Sequence, residues 1–126
     1  MKPDERDLQV HLHIAYHCCV IEETIRQFGK DKERFDNSII YRNAVSMPLM
    51  QIGELVKHLS ARFKETHPEI PWKKISGMRD YFAHDYFGMN IEQIWNTALE
   101  SAPELNLQCR SILQENDIPI PERIKS

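Results

Sequence analysis

Arg79 and His84 are the residues of this 126-residue chain best suited to acid–base chemistry on a phosphate. An arginine can hold a phosphate and neutralise the charge that builds on it, because its planar guanidinium presents a fixed set of donors. A histidine can take up or release a proton near neutral pH. Because RNA supplies its own 2′-hydroxyl as nucleophile, such a pair suffices in kind to cleave RNA without a metal ion.

The spacing of this pair raises a geometric difficulty. Five residues along a straight helix place two positions about 140° apart, so Arg79 and His84 would not face one phosphate. Arg79 and Tyr86, which are seven residues apart, would share a face instead. Either the helix ends between Arg79 and His84, or the groups meet across two copies of the chain. A helix end with aromatic packing and no catalysis is the simpler interpretation of "GMRDYFAHDYFG".

Hydrophobic periodicity predicts four helices in a single domain, residues 1–126. The predicted segments cover residues 7–28, 36–65, 71–84 and 91–114. Gly29 should end the first, and Asn90, with Gln93 three residues later, should cap the fourth. Residues 115–126 are expected to be a tail that docks loosely or is mobile. The predicted fold class is therefore all-α, an up-and-down helical bundle.

Two prolines are expected to disturb these helices. Pro48 lies inside the second segment, where it removes a backbone donor and should cause a kink or a restart. Pro103 should bend the fourth segment. Glu54 stands beside the apolar face of the second segment, where it would make a buried polar contact or lie at the edge of that face.

The first helix carries two apolar stripes, about 140° apart. One consists of Val10, Ile14, Cys18, Ile21, Ile25 and Phe28, and the other of Leu8, Leu12, Ala15 and Cys19. A helix at the edge of a monomeric bundle needs only one such stripe. The second stripe would face either a second subunit or further helices of the same chain, and both interpretations stay open.

Composition and charge exclude several functions. A net charge of −3 argues against a protein that grips nucleic acid along a long basic track, so any contact with RNA should be local. The apolar runs are too short to span a membrane, and the charged N-terminus predicts a cytoplasmic protein without a signal peptide. The three cysteines, with no CxxC pair, are expected to be reduced and packed.

No metal or cofactor is predicted. His13 and His17 share a helix face, as some metal ligands do, but no nearby cysteine or carboxylate completes a set. Surface or partner-facing positions are the preferred interpretation for His11, His13 and His17.

The chain resembles the HepT-like family of HEPN domains. The resemblance rests on "RDYFAHDY", which fits R-x4-H-x-Y with the polar Asp80 after the arginine. It also rests on "QIGELVKHLS" and "HPEIPWKKISGMRD" upstream and on "HDYFGMNIEQIW" downstream, and it extends from about residue 6 to residue 113. Proteins of this family are ribonuclease toxins encoded beside MntA-like minimal nucleotidyltransferases.

The resemblance implies specific roles for the motif residues. It implies a homodimer, with both copies of the motif lining one cleft, and a metal-independent endoribonuclease of a type VII toxin–antitoxin system. Arg79 and His84 would be the catalytic pair, Asp80 would support them, and Tyr86 would accept AMP from the partner nucleotidyltransferase. The alternative is a non-catalytic substrate-binding or scaffold subunit of a nucleotidyltransferase complex, which fits the acidic charge.

Overall fold

Helices account for the regular structure of the chain. The computed structural model describes residues 3–84 and 90–122, apart from the side chains of residues 81–84. The helices are α1 (Glu5–Phe28), α2 (Lys32–Asp36), α3 (Ile39–Lys57), α4 (Ala61–Thr66), α5 (Trp72–His84), α6 (Ile91–Asn96) and α7 (Ala102–Glu115), with a π-helical turn (Thr97–Ser101) joining α6 to α7. The described residues contain no strand, and the predicted all-α fold class is confirmed.

Several helix ends lie where the sequence places them. Gly29 follows α1 with φ of 99°, and its N–H donates to the carbonyl of Ile25 at 2.8 Å. This left-handed backbone favours glycine because it has no Cβ. The side chain of Asn90 accepts from the N–H of Gln93 at 3.1 Å, which confirms the predicted cap of α6.

The second predicted segment is divided, but not at Pro48. α3 continues through the buried Pro48, so the restart predicted there is wrong. Packing of α3 against α1 and α5 offsets the backbone bond that proline removes. The helix ends after Lys57, and α4 begins at Ala61, because Ser60 caps α4 by accepting from the N–H of Phe63 at 3.1 Å.

α1 contacts two other long helices of the chain. It packs against α3 on one side and α7 on the other. Leu8 and Ala15, from its second apolar stripe, are buried within the same chain, while Leu12 and Cys19 are half-buried. These contacts favour the interpretation in which the second stripe faces other helices of the chain.

The last part of the fold departs from ideal α-helix just before Pro103. The π-helical turn, residues 97–101, lies between α6 and α7, and Pro103 stands in the first turn of α7. After α7, Ile118 and Ile120 are half-buried against the core. Over the described ranges, no helix is long and apolar enough to cross a membrane.

Candidate active site at the contact of α3 and α5

α3 and α5 pack closely at Gly53. A Cβ placed on this glycine would lie 2.9 Å from the backbone nitrogen of Arg79 and 3.0 Å from its Cβ. It would also lie 3.0 Å from the carbonyl oxygen of Ile75. Because side chains do not tolerate such contacts with backbone, glycine lets the two helices approach here. The next residue, Glu54, is thereby brought beside Arg79.

Glu54 binds Arg79 directly. The Nε of Arg79 lies 2.9 Å from Oε2 of Glu54, and the two side chains are 41% and 43% exposed. The Nη1 of Arg79 lies 3.7 Å from Oδ1 of Asp80, which is too long for a hydrogen bond. The guanidinium is therefore attached to α3 and still open to solvent.

Two further residues of α3 and its C-terminus extend this cluster. Lys57 donates to Oδ1 of Asp80 at 2.6 Å. The Nε2 of His58 lies 3.7 Å from Oε1 of Glu54. Two cations, Arg79 and Lys57, thus face two anions, Glu54 and Asp80, and the cluster has no net formal charge while His58 is neutral. We call these five residues the Arg79 cluster.

The structure bears on the spacing of Arg79 and His84. α5 stays helical from Trp72 to His84, so it does not end between the two residues. The helix end expected between them is therefore wrong, and the arrangement that uses two copies of the chain stays a prediction. The side chain of His84 and the whole of Tyr86 lie outside the described residues, so their roles stay predictions.

Sequence patterns hinted at only part of this cluster. The sequence predicts either a buried polar contact or a position at the edge of an apolar face for Glu54, and nothing in the pattern pairs it with Arg79. No sequence pattern indicated Lys57 or His58. The signal that could have found them is helical spacing, since Glu54 and His58 are four residues apart and Lys57 is three from Glu54. The contact with α5 itself depends on tertiary packing.

The histidines of α1 have different environments. His11 is fully buried beside Phe63 and Trp72, so its predicted surface or partner-facing position is wrong. Its pKa is lowered to about 4, mainly by burial and also by nearby His67, while Asp7 opposes the shift. His13 is exposed and His17 is half-buried. In the described part of the chain, no three His, Cys, Asp or Glu side chains are grouped to hold a metal ion.

A cavity of about 340 Å³ lies on another side of α5. It is bounded by α3, α5, α6, the π-helical turn and α7, with an apolar floor that includes Ile52, Ile75, Ile94 and Leu105. Met78 lines it, whereas Arg79, the next residue, does not. The cavity is therefore separate from the Arg79 cluster, where the charged groups converge.

An all-α bundle that presents an arginine from the helix ending in His84 has the features of a HEPN domain. Comparison with known proteins identifies the family. Residues 19–112 match the family described as "Ribonuclease HepT-like", and the chain belongs to it.

Several curated proteins are similar to the chain. A candidate RNase of Caldanaerobacter subterraneus subsp. tengcongensis is 41% identical over 103 residues, which are 82% of this chain and 90% of that protein. A candidate RNase of Methanocaldococcus jannaschii is 34% identical over 113 residues, 88% of this chain and 95% of that protein. The "Probable ribonuclease HepT" of Thermococcus cleftensis is 44% identical over 62 residues, 49% of this chain and 56% of that protein. No solved structure matches.

These comparisons confirm the family predicted from the sequence and the enzyme class, a ribonuclease. The family match spans α3 and α5 completely, and so includes every residue of the Arg79 cluster.

Proposed function

We propose that the chain is a metal-independent endoribonuclease toxin that works as a homodimer and is controlled by an MntA-like nucleotidyltransferase antitoxin. One observation carries the proposal: Arg79, in a chain of the HepT-like ribonuclease family, is held at the contact of α3 and α5 with its guanidinium open to solvent. Arg79 would clamp the RNA phosphate as charge builds on it, and His84 would transfer the proton. Asp80 would support the pair.

The geometry of α5 supports a site built from two copies. Because α5 is helical through His84, positions 79 and 84 of one chain lie about 140° apart around the helix. In a two-fold dimer, Arg79 of one subunit and His84 of its partner can instead face the same phosphate. Each pair of Arg79 and His84 in the shared cleft would then be incomplete without both subunits.

An exposed apolar stripe on α3 suits a second copy of the chain. Ile40 and Met47 are 68% and 57% exposed, and Glu54 follows seven residues after Met47 on the same face. An exposed apolar patch next to a functional site is typical of a protein interface. The stripe leads directly to the Arg79 cluster, so a dimer formed there would bring two clusters together.

Single substitutions test the catalytic roles. Arg79→Ala and His84→Ala should each lower RNA cleavage by at least about 100-fold. Both variants should stay folded and dimeric, because a half-exposed ion pair such as that of Arg79 contributes about 0.2–1 kcal/mol to stability. Cleavage of labelled RNA by purified protein, with thermal melting as the control for folding, measures this. Full cleavage by either variant removes that residue from the mechanism.

Mixed dimers test how the two copies pair. A dimer of one Arg79→Ala subunit and one His84→Ala subunit keeps one complete site if the pair forms between subunits. It keeps none if each site uses residues of one chain. Differently tagged subunits, co-expressed and purified through both tags, should recover about half of the wild-type rate. A mixed dimer as inactive as its parents contradicts pairing between subunits.

Tyr86 is the proposed acceptor of AMP. Added bulk and negative charge two residues from His84 would exclude the RNA phosphate by sterics and by repulsion. Intact mass and peptide mapping after co-expression with the nucleotidyltransferase should show mass in AMP units on Tyr86. A Tyr86→Phe chain should gain no such mass and should remain active beside the partner. Modification at another residue only would exclude Tyr86.

The alternative is a non-catalytic substrate-binding or scaffold subunit of the nucleotidyltransferase complex. The absence of net charge in the Arg79 cluster favours it, since a phosphate binder usually carries a positive surplus. This alternative predicts a tight complex with the partner, no RNA cleavage by the wild type, and no effect of His84→Ala in cells.

A further inference from the structure

We infer that Glu54 is a positioning residue for Arg79, a role that rests on the proposed nuclease function. Glu54 would not touch RNA in this scheme. Its carboxylate would hold the guanidinium in the orientation in which the terminal nitrogens meet the phosphate.

The atoms that are bound and the atoms that are not point to this role. Oε2 of Glu54 forms an ion pair with Nε, the nitrogen nearest the stem of the arginine side chain, at 2.9 Å. Asp80 lies 3.7 Å from Nη1 and is drawn toward Lys57, at 2.6 Å. The described contacts therefore fix the guanidinium at its stem and leave its tip for a ligand. A phosphate can accept from the two terminal nitrogens of an arginine held in this way.

The backbone beneath Glu54 makes its position rigid. Gly53 packs against the backbone of Arg79 at a distance that a Cβ would not allow. Helix packing therefore sets the relative position of the backbones of Glu54 and Arg79, independently of the contact between their side chains. The other carboxylate oxygen of Glu54 faces His58 at 3.7 Å, so both oxygens have a neighbour in the Arg79 cluster.

A positioning role differs from a stabilising role in what its loss would change. The pair of Glu54 and Arg79 is too exposed to contribute much to folding. A displacement of a catalytic group by 1 Å can nevertheless cost about 100-fold in rate. Loss of Glu54 should therefore lower kcat while thermal stability changes little.

Two substitutions at Glu54 separate the presence of an oxygen beside Nε of Arg79 from the negative charge. Glu54→Ala removes the acceptor, and kcat for RNA cleavage should fall about 10- to 100-fold with KM changed less than about threefold. Glu54→Gln keeps a carbonyl oxygen that can accept from Nε, so it should recover most of that loss. Glu65→Ala, an exposed glutamate of α4 outside the Arg79 cluster, is the matched control and should behave as wild type.

The outcomes distinguish this inference from the proposed function. A kcat for Glu54→Ala equal to that of Glu65→Ala overturns the positioning role while the nuclease stands. The positioning role is also overturned if Glu54→Ala loses thermal stability together with kcat and Glu54→Gln recovers neither. If the wild type cleaves no more RNA than Arg79→Ala, the proposed function fails instead. The rate of proton exchange at Nε of Arg79, measured by NMR, tests the contact independently of catalysis. This rate should increase in Glu54→Ala, and an unchanged rate excludes the contact.

Discussion

Two of the polar contacts between elements of this bundle differ in burial, because one is made by a buried carboxylate and the other lies at the surface. The buried carboxylate of Asp7 on α1 accepts from the N–H of Ser60 at 2.8 Å and from its hydroxyl at 2.6 Å. At the surface, Oε2 of Glu54 forms an ion pair with Nε of Arg79 at 2.9 Å. Asp7 is 4% exposed, whereas Glu54 and Arg79 are 43% and 41% exposed.

Because they differ in exposure, the two contacts should contribute to different properties, one to stability and the other to the orientation of a charged group. A buried carboxylate that loses its partners pays the full cost of desolvation, so the Asp7 contact belongs to stability. A half-exposed ion pair adds little to stability, yet it fixes the direction of a charged group that a ligand can still reach. Interior substitutions should therefore change the free energy of unfolding, and substitutions in the Arg79 cluster should change the rate of cleavage.

The largest effect on stability should come from pH and the buried His11, beside the Asp7 contact. Its pKa in the folded chain is lowered to about 4 from 6.5. Below pH 6.5 the unfolded chain therefore binds a proton that the folded chain does not, and stability falls as pH falls. The loss should reach about 3 kcal/mol by pH 4. Urea unfolding at a fixed protein concentration, from pH 7 to pH 4, measures it.

Substitution of His11 checks that this histidine is the cause. His11→Phe, beside the aromatic rings of Phe63 and Trp72, removes the titrating group. Between pH 6.5 and 4, the slope of the free energy of unfolding against pH should then decrease by the equivalent of about one bound proton. His13→Gln, at an exposed position two residues away, should leave the decline unchanged. An equally steep decline in His11→Phe would assign the acid sensitivity to other groups.

A smaller effect should follow from the Asp7 contact itself. Asp7→Asn keeps one acceptor oxygen for Ser60 and loses the other, which should cost about 1–3 kcal/mol of stability at pH 7. Cleavage of RNA by the folded variant should be unchanged. Glu5→Gln removes a charge from the same first turn of α1 and controls for the helix dipole. Equal stability of the two variants would show that the contact contributes nothing beyond its charge.

The smallest effect should follow from Lys57, in the surface contact. Lys57→Gln should cost less than about 1 kcal/mol of stability, since its ion pair with Asp80 is exposed. Release of Asp80 toward Arg79 should slow cleavage about two- to fivefold, which is the rate equivalent of such an ion pair. Lys32→Gln breaks a similarly exposed pair with Asp36, far along the chain, and should leave cleavage unchanged. The same rate in both lysine variants would separate Lys57 from catalysis.

Local sequence signals predicted the parts of the fold that depend on local physics. Gly29 ended α1 because its backbone conformation is strained for other residues, and Asn90 capped α6 through a bond three residues away. The restart predicted at Pro48 does not occur, because tertiary packing decides whether the helix continues there. Helix propensity treats proline as a break, but the packing of α3 on both sides held the helix together.

The contacts of the Arg79 cluster depend on tertiary packing, which local sequence patterns do not predict. Arg79 and Asp80 could be chosen from residue chemistry and from the family resemblance. Glu54 and Gly53 could not be paired with Arg79, because that pairing depends on two helices meeting at one glycine and on residues about 25 positions apart in sequence. The cap of α4 is a similar case, since Asp7 and Ser60 are 53 residues apart in sequence.

The π-helical turn between α6 and α7 has a consequence for the evolution of this chain. A π turn is an α-helix that holds one additional residue, and the helix on either side keeps its direction. Deletion of one residue within positions 97–101 would restore a continuous α-helix, with Ile94 and Leu105 still facing the core. Homologous sequences should therefore tolerate a single-residue gap in this turn. A gap within a regular α-helix would instead rotate the following side chains by about 100°.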